Sequence, residues 1–478
     1  MGTDAHEGGA AGALRDLERF LADATSDRET LGVLEIGAET RGRELLRRML
    51  QEHLDTRGTG DVGPAILVDT EDGPARFARG HRHRRSLVTV FGTVTVTRAS
   101  YAAPGYMSVH PIDAELCLPA RSFSYELSRR VVRTVVRGPF AETISVITEH
   151  TGVRLPMRSV EAILKDAAVD VEGFYDRRAA TPARARHGEI VVGAIDCKGI
   201  PMVKPTPASK ARRGKGDKIH KKKMATVAAV HTQAPQLRSA DDVVESLFGT
   251  GPRPTRPRQS RNHKRVWASL IATKDAFIGD VAAEMARRDP RRTHPWVILT
   301  DGERALQRRV IATFTGATLI LDLIHVLDKL WKAAHVLHPE GSPEAEAFVR
   351  ERTLRILNGG VGQVVKGLRQ MSTKRALSGN RAKTIADVTH YLYANRTRMR
   401  YDTYLANGWP IASGSVEGAC KNLVRDRFER SGMRWSIATA EALLKLRAVY
   451  LSDDLDDYWD HHIQLDQQRN HPSWTPVE

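Results

Sequence analysis

The alternation of apolar and polar positions changes character within the first hundred residues. Over residues 11–55 the apolar side chains recur at helical spacing on one face, and this pattern stops at Gly58. Over residues 64–103 apolar and polar positions alternate, with many β-branched residues, around a central turn at Phe91 and Gly92. The first pattern predicts a helical segment, and the second predicts a small β domain built on a hairpin.

Helical spacing returns in residues 119–175, which contain three candidate helices at 124–136, 140–150 and 156–169. The second and third candidates are short and are joined by a turn near Gly152. This is the outline of a helix-turn-helix, whose second helix reads the major groove of DNA. It also fits two helices that simply pack together, and the pattern leaves both interpretations open.

A polar stretch at residues 180–189 marks a boundary, after which buried strands alternate with amphipathic helices. The strand-like runs are EIVVGAIDCKG, KMATVAAVHT, PWVILTDGE and ATLILDLIH, and the helical runs are DAFIGDVAAEMARRD, ALQRRVIATF and DKLWKAAHVLH. From Ser342 to Asn395 the pattern is helical only, and Ser342 with Pro343 forms a good helix start. We therefore predict an α/β layer on a mixed sheet, interrupted by an all-α insertion.

Composition narrows the class of protein. The 478 residues include 73 Lys and Arg against 57 Asp and Glu, a formal net charge of +16. This excess favours nucleic acid as the partner, with a membrane surface or an acidic protein as the competing choices. The three Cys are far apart, which argues against a disulfide scaffold and a structural zinc site. The sequence has no apolar run of about 18 residues and no signal peptide, which predicts a soluble protein of a reducing compartment.

The positive charge is concentrated in two segments. Residues 204–223 contain nine Lys or Arg and a single acid, and residues 252–265 contain six Lys or Arg and no acid. Both segments are predicted to be loops. Each is either a solvated surface or a contact for the phosphates of nucleic acid.

Three acidic residues occur where a side chain can carry chemistry. Asp196 lies in or at the end of a buried strand-like run, Asp301 ends another, and Glu417 lies near the start of a predicted helix. An aspartate at a strand end is most often a turn former or a helix cap. The strand ends of an α/β domain are also where ligands bind, and converging carboxylates suit a hard cation such as Mg²⁺. On a strongly basic protein, two such ions indicate phosphoryl transfer, the chemistry of nucleases and strand-transfer enzymes.

Several blocks of the sequence resemble one known family. These blocks are VFGTVTVTRASY, ELCLPARSFS, AIDCKGIPM, KKKMATVAAVHT, LILDLIHVLDKLWKAAHVLH, RYDTYLANGWPIASGSVEGACKNLVRDRFERSGMRWS and YWDHH. In this order, from about residue 80 to residue 470, they resemble the ISKra-type family of bacterial insertion-sequence transposases. The resemblance implies a DDE transposase, distantly Mutator-like, with an RNase H-like catalytic domain and a helical insertion before the last acidic residue.

The resemblance also implies roles for individual residues. Asp196 in AIDCKG is the first catalytic aspartate, Asp301 in LTDGE is the second, and Glu417 in GSVEGAC is the glutamate. These three side chains would hold Mg²⁺ or Mn²⁺ as two ions. Asp322 and His325 resemble the C/D-x-x-H element of Mutator-like relatives and would support the site, or they simply hydrogen-bond each other at a strand–helix junction. Asp322 is also an alternative to Asp301, which we prefer because an Asp-Gly pair leaves its carboxylate at a free strand end.

Basic side chains around this site are expected to hold DNA. The expected contacts are Lys210, Arg212, Arg213, Lys215, Lys221, Lys222, Lys223, Lys421, Arg425, Arg434 and Trp435. Lys421 and Arg425 follow Glu417 by four and eight residues and would share its helix face, either to hold phosphate or only to form ion pairs. Trp435 is either a core residue or a platform for an unpaired base, and Arg434 is either a loop residue or a phosphate clamp.

Together these observations predict the organisation of the chain. The expected parts are a helical segment at 1–62, a small β domain at 63–118, a helix-turn-helix-like DNA-binding domain at 119–182, an RNase H-like catalytic domain at 183–340 and 401–465, its helical insertion at 341–400 and a tail at 466–478. Double-stranded DNA, both as terminal inverted repeats and as target, is the expected partner, together with further copies of this chain in a homodimer or higher oligomer. We expect a bacterial cytoplasmic, nucleoid-associated protein with no membrane partner. The competing function is a non-catalytic DNA-binding protein derived from a transposase.

Overall fold

The chain divides into two units, one made of Met1–Phe174 with Asp453–Glu478 and the other of Tyr175–Ser452. The computed structural model describes residues 9–23, 28–178, 184–203, 222–249, 262–412 and 414–477, without the side chains of residues 304, 305, 415–417 and 431. Among the helices it describes, none is long and apolar enough to cross a membrane.

Helices and strands follow one another in the predicted order, with a few additions. The run ATLILDLIH, predicted as one strand, is a strand only over Thr318–Leu321, because Asp322 caps a helix that begins at Leu323. The α-helices are α1 Ala10–Ala22, α2 Leu31–Thr56, α3 Pro111–Glu115, α4 Tyr125–Val135, α5 Phe140–Thr151, α6 Met157–Asp166, α7 Val171–Arg178, α8 Ala240–Phe248, α9 Lys274–Arg288, α10 Arg304–Thr313, α11 Leu323–Leu337, α12 Pro343–Leu357, α13 Val361–Lys374, α14 Gly379–Asn395, α15 Tyr401–Ala406, α16 Gly414–Ala419, α17 Asp426–Phe428, α18 Ile437–Leu451 and α19 Leu455–Asn470. The strands are β1 Ala65–Thr70, β2 Gly73–Arg79, β3 His83–Thr89, β4 Gly92–Arg98, β5 Tyr101–Ala102, β6 Ile190–Pro201, β7 Lys222–Gln233, β8 Asn262–Ser269, β9 Trp296–Thr300, β10 Thr318–Leu321 and β11 Trp474–Val477. A π-helical turn, Cys420–Arg425, joins α16 to α17, and short 3₁₀ turns occupy Arg396–Arg398 and Arg430–Gly432.

The first unit contains the predicted β domain in two pieces. A sheet in the order β11-β1-β2-β5 buries Ile66, Phe77 and Tyr101. The predicted hairpin is the separate ribbon β3–β4, and Gly92 in its turn has a φ of 121°, which favours glycine. The apolar face of this ribbon packs on α2.

Three helices of the first unit match the predicted helices at residues 124–169. Ser124 caps α4, because its side chain accepts the backbone N–H of Leu127 at 3.3 Å. Gly152, with a φ of 70°, ends α5 in the left-handed conformation that favours glycine. Helices α4, α5 and α6 pack on one another. The α5–α6 pair therefore has the outline expected of a helix-turn-helix, whose binding to DNA stays a prediction.

The second unit is built on a five-stranded sheet in the order β10-β9-β6-β7-β8. Strands β6, β7 and β8 pair antiparallel, whereas β9 and β10 run parallel to β6. The apolar runs that predicted β6, β7 and β9 are almost wholly buried, because helices cover both faces of the sheet. Helices α9 and α10 pack on one face, and α16, α18 and the π-helical turn also contact the sheet.

The predicted all-α insertion is present as α12, α13 and α14. It begins where expected, since the Ser342 side chain accepts the Ala345 N–H at 3.2 Å and Pro343 takes the first helical position. Helices α12 and α14 pack on α11, and α12 also contacts α8. The insertion is therefore anchored directly to the helix that follows β10.

Two strands lie where no strand was predicted. β8 begins at Asn262, inside the segment that was expected to be a basic loop as far as Arg265. β11 lies in the expected tail and pairs antiparallel with β1, with Ala65 opposite Val477. Residues 453–478 group with the first unit, although the sequence placed residues up to 465 in the catalytic domain.

Candidate active site

Asp196 and Asp301 occupy equivalent positions on neighbouring strands. The last residues paired between the parallel strands β6 and β9 are Ile195 and Thr300. Asp196 is the next residue of β6, which continues to Pro201, and Asp301 is the first residue after β9. Both are half-buried. Because adjacent strands lie about 4.8 Å apart, the two carboxylates start from neighbouring points of the sheet. The structure thus brings together two residues that are 105 positions apart in the sequence.

The surroundings of Asp301 disfavour its negative charge. Burial and the nearby Asp196 carboxylate raise the pKa of Asp301, against the opposing effect of the Glu303 backbone N–H, which donates to Asp301 Oδ1 at 3.0 Å. Among the described side chains, no Lys or Arg lies within ion-pairing distance of Asp301. A cation bound between the two carboxylates would relieve this repulsion.

Asp196 is held by two donors. Its Oδ1 accepts the backbone N–H of Cys197 at 2.7 Å, and its Oδ2 accepts the Cys420 thiol with an Sγ–O distance of 3.2 Å. Burial raises the pKa of the Cys420 thiol, so this group stays protonated and can donate. The contact joins the strand that carries Asp196 to the helical segment that follows Glu417.

Glu417 lies in α16, one helical turn before Cys420. Helix α16 packs against β6 and β7, which brings this segment to the strand of Asp196. The side chain of Glu417 lies outside the described part of the chain. The backbone therefore carries the predicted third acid to the same region of the sheet, while its role as a ligand stays a prediction.

The π-helical turn Cys420–Arg425 is supported from α18. The buried Arg447 donates from Nε to the backbone carbonyl of Asn422 at 2.7 Å. Burial lowers the pKa of Arg447 to about 10, so the side chain remains charged at neutral pH. A π-helical turn is rare and often occurs at functional sites, and here an ionic donor satisfies one of its carbonyls.

Asp322 lies one strand further from Asp196 than Asp301 does. Leu321 of β10 pairs with Thr300 of β9, so Asp322 follows β10 as Asp301 follows β9. It is buried, and its Oδ1 accepts the Ile324 N–H at 2.9 Å as the cap of α11. This geometry favours Asp301 as the partner of Asp196 and gives Asp322 a helix-capping role.

His325 lies close to Asp301. It is on the first turn of α11 and is near enough to Asp301 to lower the pKa of that carboxyl. The predicted pair of Asp322 and His325 therefore lies near Asp301, and its supporting role stays a prediction.

Two residues that the sequence did not single out also reach this site. Arg398 and Tyr391 belong to the helical insertion and contact the residues on either side of Asp301. No local motif marks them, because an Arg and a Tyr in a helical segment carry no distinctive spacing. They come close to the site because α14 packs on α11.

The expected DNA contacts divide into three groups. Lys210, Arg212, Arg213, Lys215 and Lys221 lie outside the described residues. Lys222 is exposed and forms an ion pair with Glu429 at 2.5 Å, and Lys223 is half-buried. Lys421, Arg425 and Arg434 are exposed. The exposed side chains are accessible to a phosphate. Their contact with DNA stays a prediction.

Trp435 is a core residue in this structure, which disagrees with the base-stacking role. Only 3% of it is exposed, and its indole N–H donates to the Phe428 carbonyl at 3.2 Å. Its ring lies 4.9 Å from the ring of Phe428 and 4.9 Å from the Arg427 guanidinium. No open ring face remains for a base, so the other sequence-based interpretation, a core tryptophan, fits the structure.

The shared helix face of Glu417, Lys421 and Arg425 is also corrected. That prediction assumed α-helical spacing, in which residues four and eight apart repeat on one face. Lys421 and Arg425 lie in the π-helical turn, whose wider hydrogen-bonding pattern shifts each position relative to the α-helix. A common face therefore does not follow from the spacing.

The carboxylate oxygens at this site are of the ligand type that a hard divalent cation prefers. Within the part of the chain that the structure describes, no three His, Cys, Asp or Glu side chains converge as a complete metal site. Asp196 and Asp301 supply two neighbouring carboxylates, which are the oxygen ligands that Mg²⁺ prefers. Glu417 is the third ligand that the sequence predicts, and its side chain lies outside that part.

No protein-family model matches this chain, and no curated protein is significantly similar to it.

Proposed function

We propose that this protein is the DNA transposase of an insertion sequence, which cuts the element's ends and joins the freed 3′-hydroxyl to target DNA. The observation that carries the proposal is the pair Asp196 and Asp301 on neighbouring parallel strands, with the helix of Glu417 packed on the first of those strands. Two carboxylates in this position, on a chain with a net charge of +16, suit metal-dependent phosphoryl transfer on DNA.

The sheet topology supports an RNase H-like catalytic domain. Numbered along the chain, its five strands lie in the order 5-4-1-2-3, with the first three antiparallel and the last two parallel to the first. We propose that this mixed sheet is the core of the RNase H-like catalytic domain. The resemblance of the sequence to ISKra-type transposases implied the same fold.

In this proposal Asp196, Asp301 and Glu417 hold Mg²⁺. Bound Mg²⁺ supplies a Lewis acid that stabilises negative charge on phosphate oxygens during cleavage and joining. Asp196 is kept in place by the Cys420 thiol and the Cys197 N–H, and Asp301 by the Glu303 N–H. The exposed Lys421, Arg425 and Arg434 offer positive charge to the DNA backbone.

The test is strand cleavage and joining on DNA that carries the inverted repeats flanking the gene. Wild type is compared with Asp196→Asn, Asp301→Asn and Glu417→Gln in Mg²⁺, Mn²⁺ or EDTA. We expect metal-dependent nicking at the ends that each substitution abolishes while binding to the ends persists. Asp387→Asn, which changes an exposed carboxylate of α14, is the matched control and should retain activity.

Three other outcomes would contradict the proposal in different ways. Full cleavage by Asp196→Asn would remove that residue from the mechanism. Binding without cleavage in any metal would indicate a non-catalytic DNA-binding protein, which is the alternative function. Cleavage without joining would indicate a nuclease.

A further inference from the structure

We propose that Tyr391 and Arg398 of the helical insertion are positioning residues that hold Asp301 in place from both sides. The inference rests on the proposed function, because it assigns the two residues to the metal-binding carboxylate. In this inference the helical insertion contributes residues that position an active-site carboxylate. Thr300 and Gly302, the neighbours of Asp301, are the two points of contact.

Arg398 fixes the residue before Asp301. It is 5% exposed, and its Nη1 donates to the Thr300 hydroxyl at 2.8 Å. Its Nη2 donates to Asn395 Oδ1 at 2.6 Å, and in the amide orientation that satisfies both groups Gln307 accepts from Nε at 2.9 Å. Gln307 belongs to α10, so one guanidinium ties the end of β9 and the helix after Asp301 to the insertion.

Tyr391 occupies the space beside the residue after Asp301. A Cβ placed on Gly302 would lie 2.2 Å from Tyr391 Cε2 and 2.4 Å from its hydroxyl oxygen. Only glycine therefore lets the ring and the backbone approach this closely. On α11, Lys329 Nζ lies 4.7 Å from the centre of the same ring.

Asp301 needs contacts on both sides because its carboxylate and the carboxylate of Asp196 repel each other. The carboxylate is half-buried next to Asp196, and it is followed by a short connection rather than a continued strand. Without external support the strand end would relax and separate the two carboxylates. Residues that orient a metal ligand typically change metal affinity or activity by about 10- to 100-fold when they are replaced.

The decisive variant is Gly302→Ala, which drives the Tyr391 ring and the Asp301 backbone apart. Gly302 does not adopt a positive φ, so the added methyl group acts through this contact and not through backbone strain. We expect the Mn²⁺ or Mg²⁺ concentration for half-maximal cleavage to rise by about 10-fold or more. Mn²⁺ binding measured by electron paramagnetic resonance, without DNA, should weaken in parallel.

The double variant Gly302→Ala/Tyr391→Ala tests whether the two residues act through each other. Removing the ring makes room for the methyl group, so the double variant should bind Mn²⁺ more tightly than the product of the two single effects predicts. Tyr391→Phe keeps the packing and should stay within about 3-fold of wild type. Arg398→Met should weaken Mn²⁺ binding as Gly302→Ala does, and thermal melting identifies any variant that fails to fold.

Gly367→Ala on α13 is the matched control, because an added Cβ there meets nothing within 4 Å. It should leave metal binding and cleavage at the wild-type level. An active wild type whose metal response is unchanged by Gly302→Ala and Arg398→Met would overturn this inference alone. An inactive wild type that binds Mn²⁺ no better than Asp301→Asn would overturn the proposed function and this inference with it.

Discussion

The second unit contains two carboxylates that are treated in opposite ways. Glu284 on α9 is buried and forms ion pairs with Arg265, Arg287 and Arg288. Although burial by itself raises the pKa of Glu284, these arginines lower it to about 2. Asp301 at the end of β9 has a raised pKa, and the described residues provide it with no such ion pair.

The difference separates a structural carboxylate from a candidate functional one. A buried charge that is fully paired is part of the scaffold, and its surroundings leave no place for a ligand. A carboxylate kept beside another carboxylate is held in an unfavourable state, which a bound cation would relieve. The two residues therefore predict opposite responses to the same kind of substitution.

The largest expected effect is on the paired carboxylate. Glu284→Ala removes the acid and leaves three arginines partly buried without it, so we expect the free energy of unfolding to fall by about 3–5 kcal/mol. Urea denaturation at pH 7 measures this change. Asp301→Asn, measured alongside, should be no less stable than wild type while it abolishes cleavage. Equal destabilisation by both variants would contradict the proposed difference between the two carboxylates.

Acid should remove the contribution of Glu284. The pKa of Glu284 is about 2 in the folded protein, against 4.5 in the unfolded chain. Its contribution to the free energy of unfolding is therefore complete above pH 4.5 and is lost as the pH falls through 2. This corresponds to about 3 kcal/mol. The stability gap between wild type and Glu284→Gln should therefore narrow between pH 4.5 and pH 2. A constant gap over that range would show that the arginines do not act through the charge of Glu284.

A smaller effect is expected at the thiol that holds Asp196. Cys420→Ala removes one donor from the carboxylate, and a hydrogen bond of this kind contributes about 1 kcal/mol. We expect a several-fold rise in the Mg²⁺ concentration for half-maximal cleavage, which Cys420→Ser should largely restore. Cys117→Ser in the first unit is the control. An identical response of the Ala and Ser variants would exclude a role for the hydrogen bond.

The smallest effect on stability is expected at Arg434, which is exposed beside the buried Trp435. Arg434→Ala should leave the urea midpoint unchanged, because the side chain supports no core packing. If it contacts a phosphate, the slope of log affinity for DNA against log salt should become shallower by about one. An unchanged slope would place Arg434 outside the DNA interface.

Much of the scaffold around the site could be predicted because its signals are local. The apolar runs before Asp196 and Asp301 predict β6 and β9. Each acid directly follows the last residue through which these two strands pair with each other. The missed strand β8 begins with Asn, His, Lys and Arg, which look like a loop until Val266 and Ala268 turn inward. β11 contains a proline and pairs with a strand some four hundred residues earlier, so no local pattern predicts it.

Contacts among side chains were much harder to predict. The sequence left Trp435 open between core and surface, and only its packing on Phe428 decided the matter. The π-helical turn after Cys420 could not be predicted from residue spacing, because its contacts with Arg447 and β6 join segments that are distant in the sequence. Tyr391 and Arg398 were missed since their chemistry comes from what they contact.

By itself the sequence determined where strands and helices form around Asp196 and Asp301, because apolar periodicity and caps act over a few residues. It also determined the strong positive charge, which is a matter of counting. Only the tertiary structure decided that Asp301 rather than Asp322 is the neighbour of Asp196, since strand order is set by packing between distant segments. The same packing decided that the insertion holds the residues on either side of Asp301.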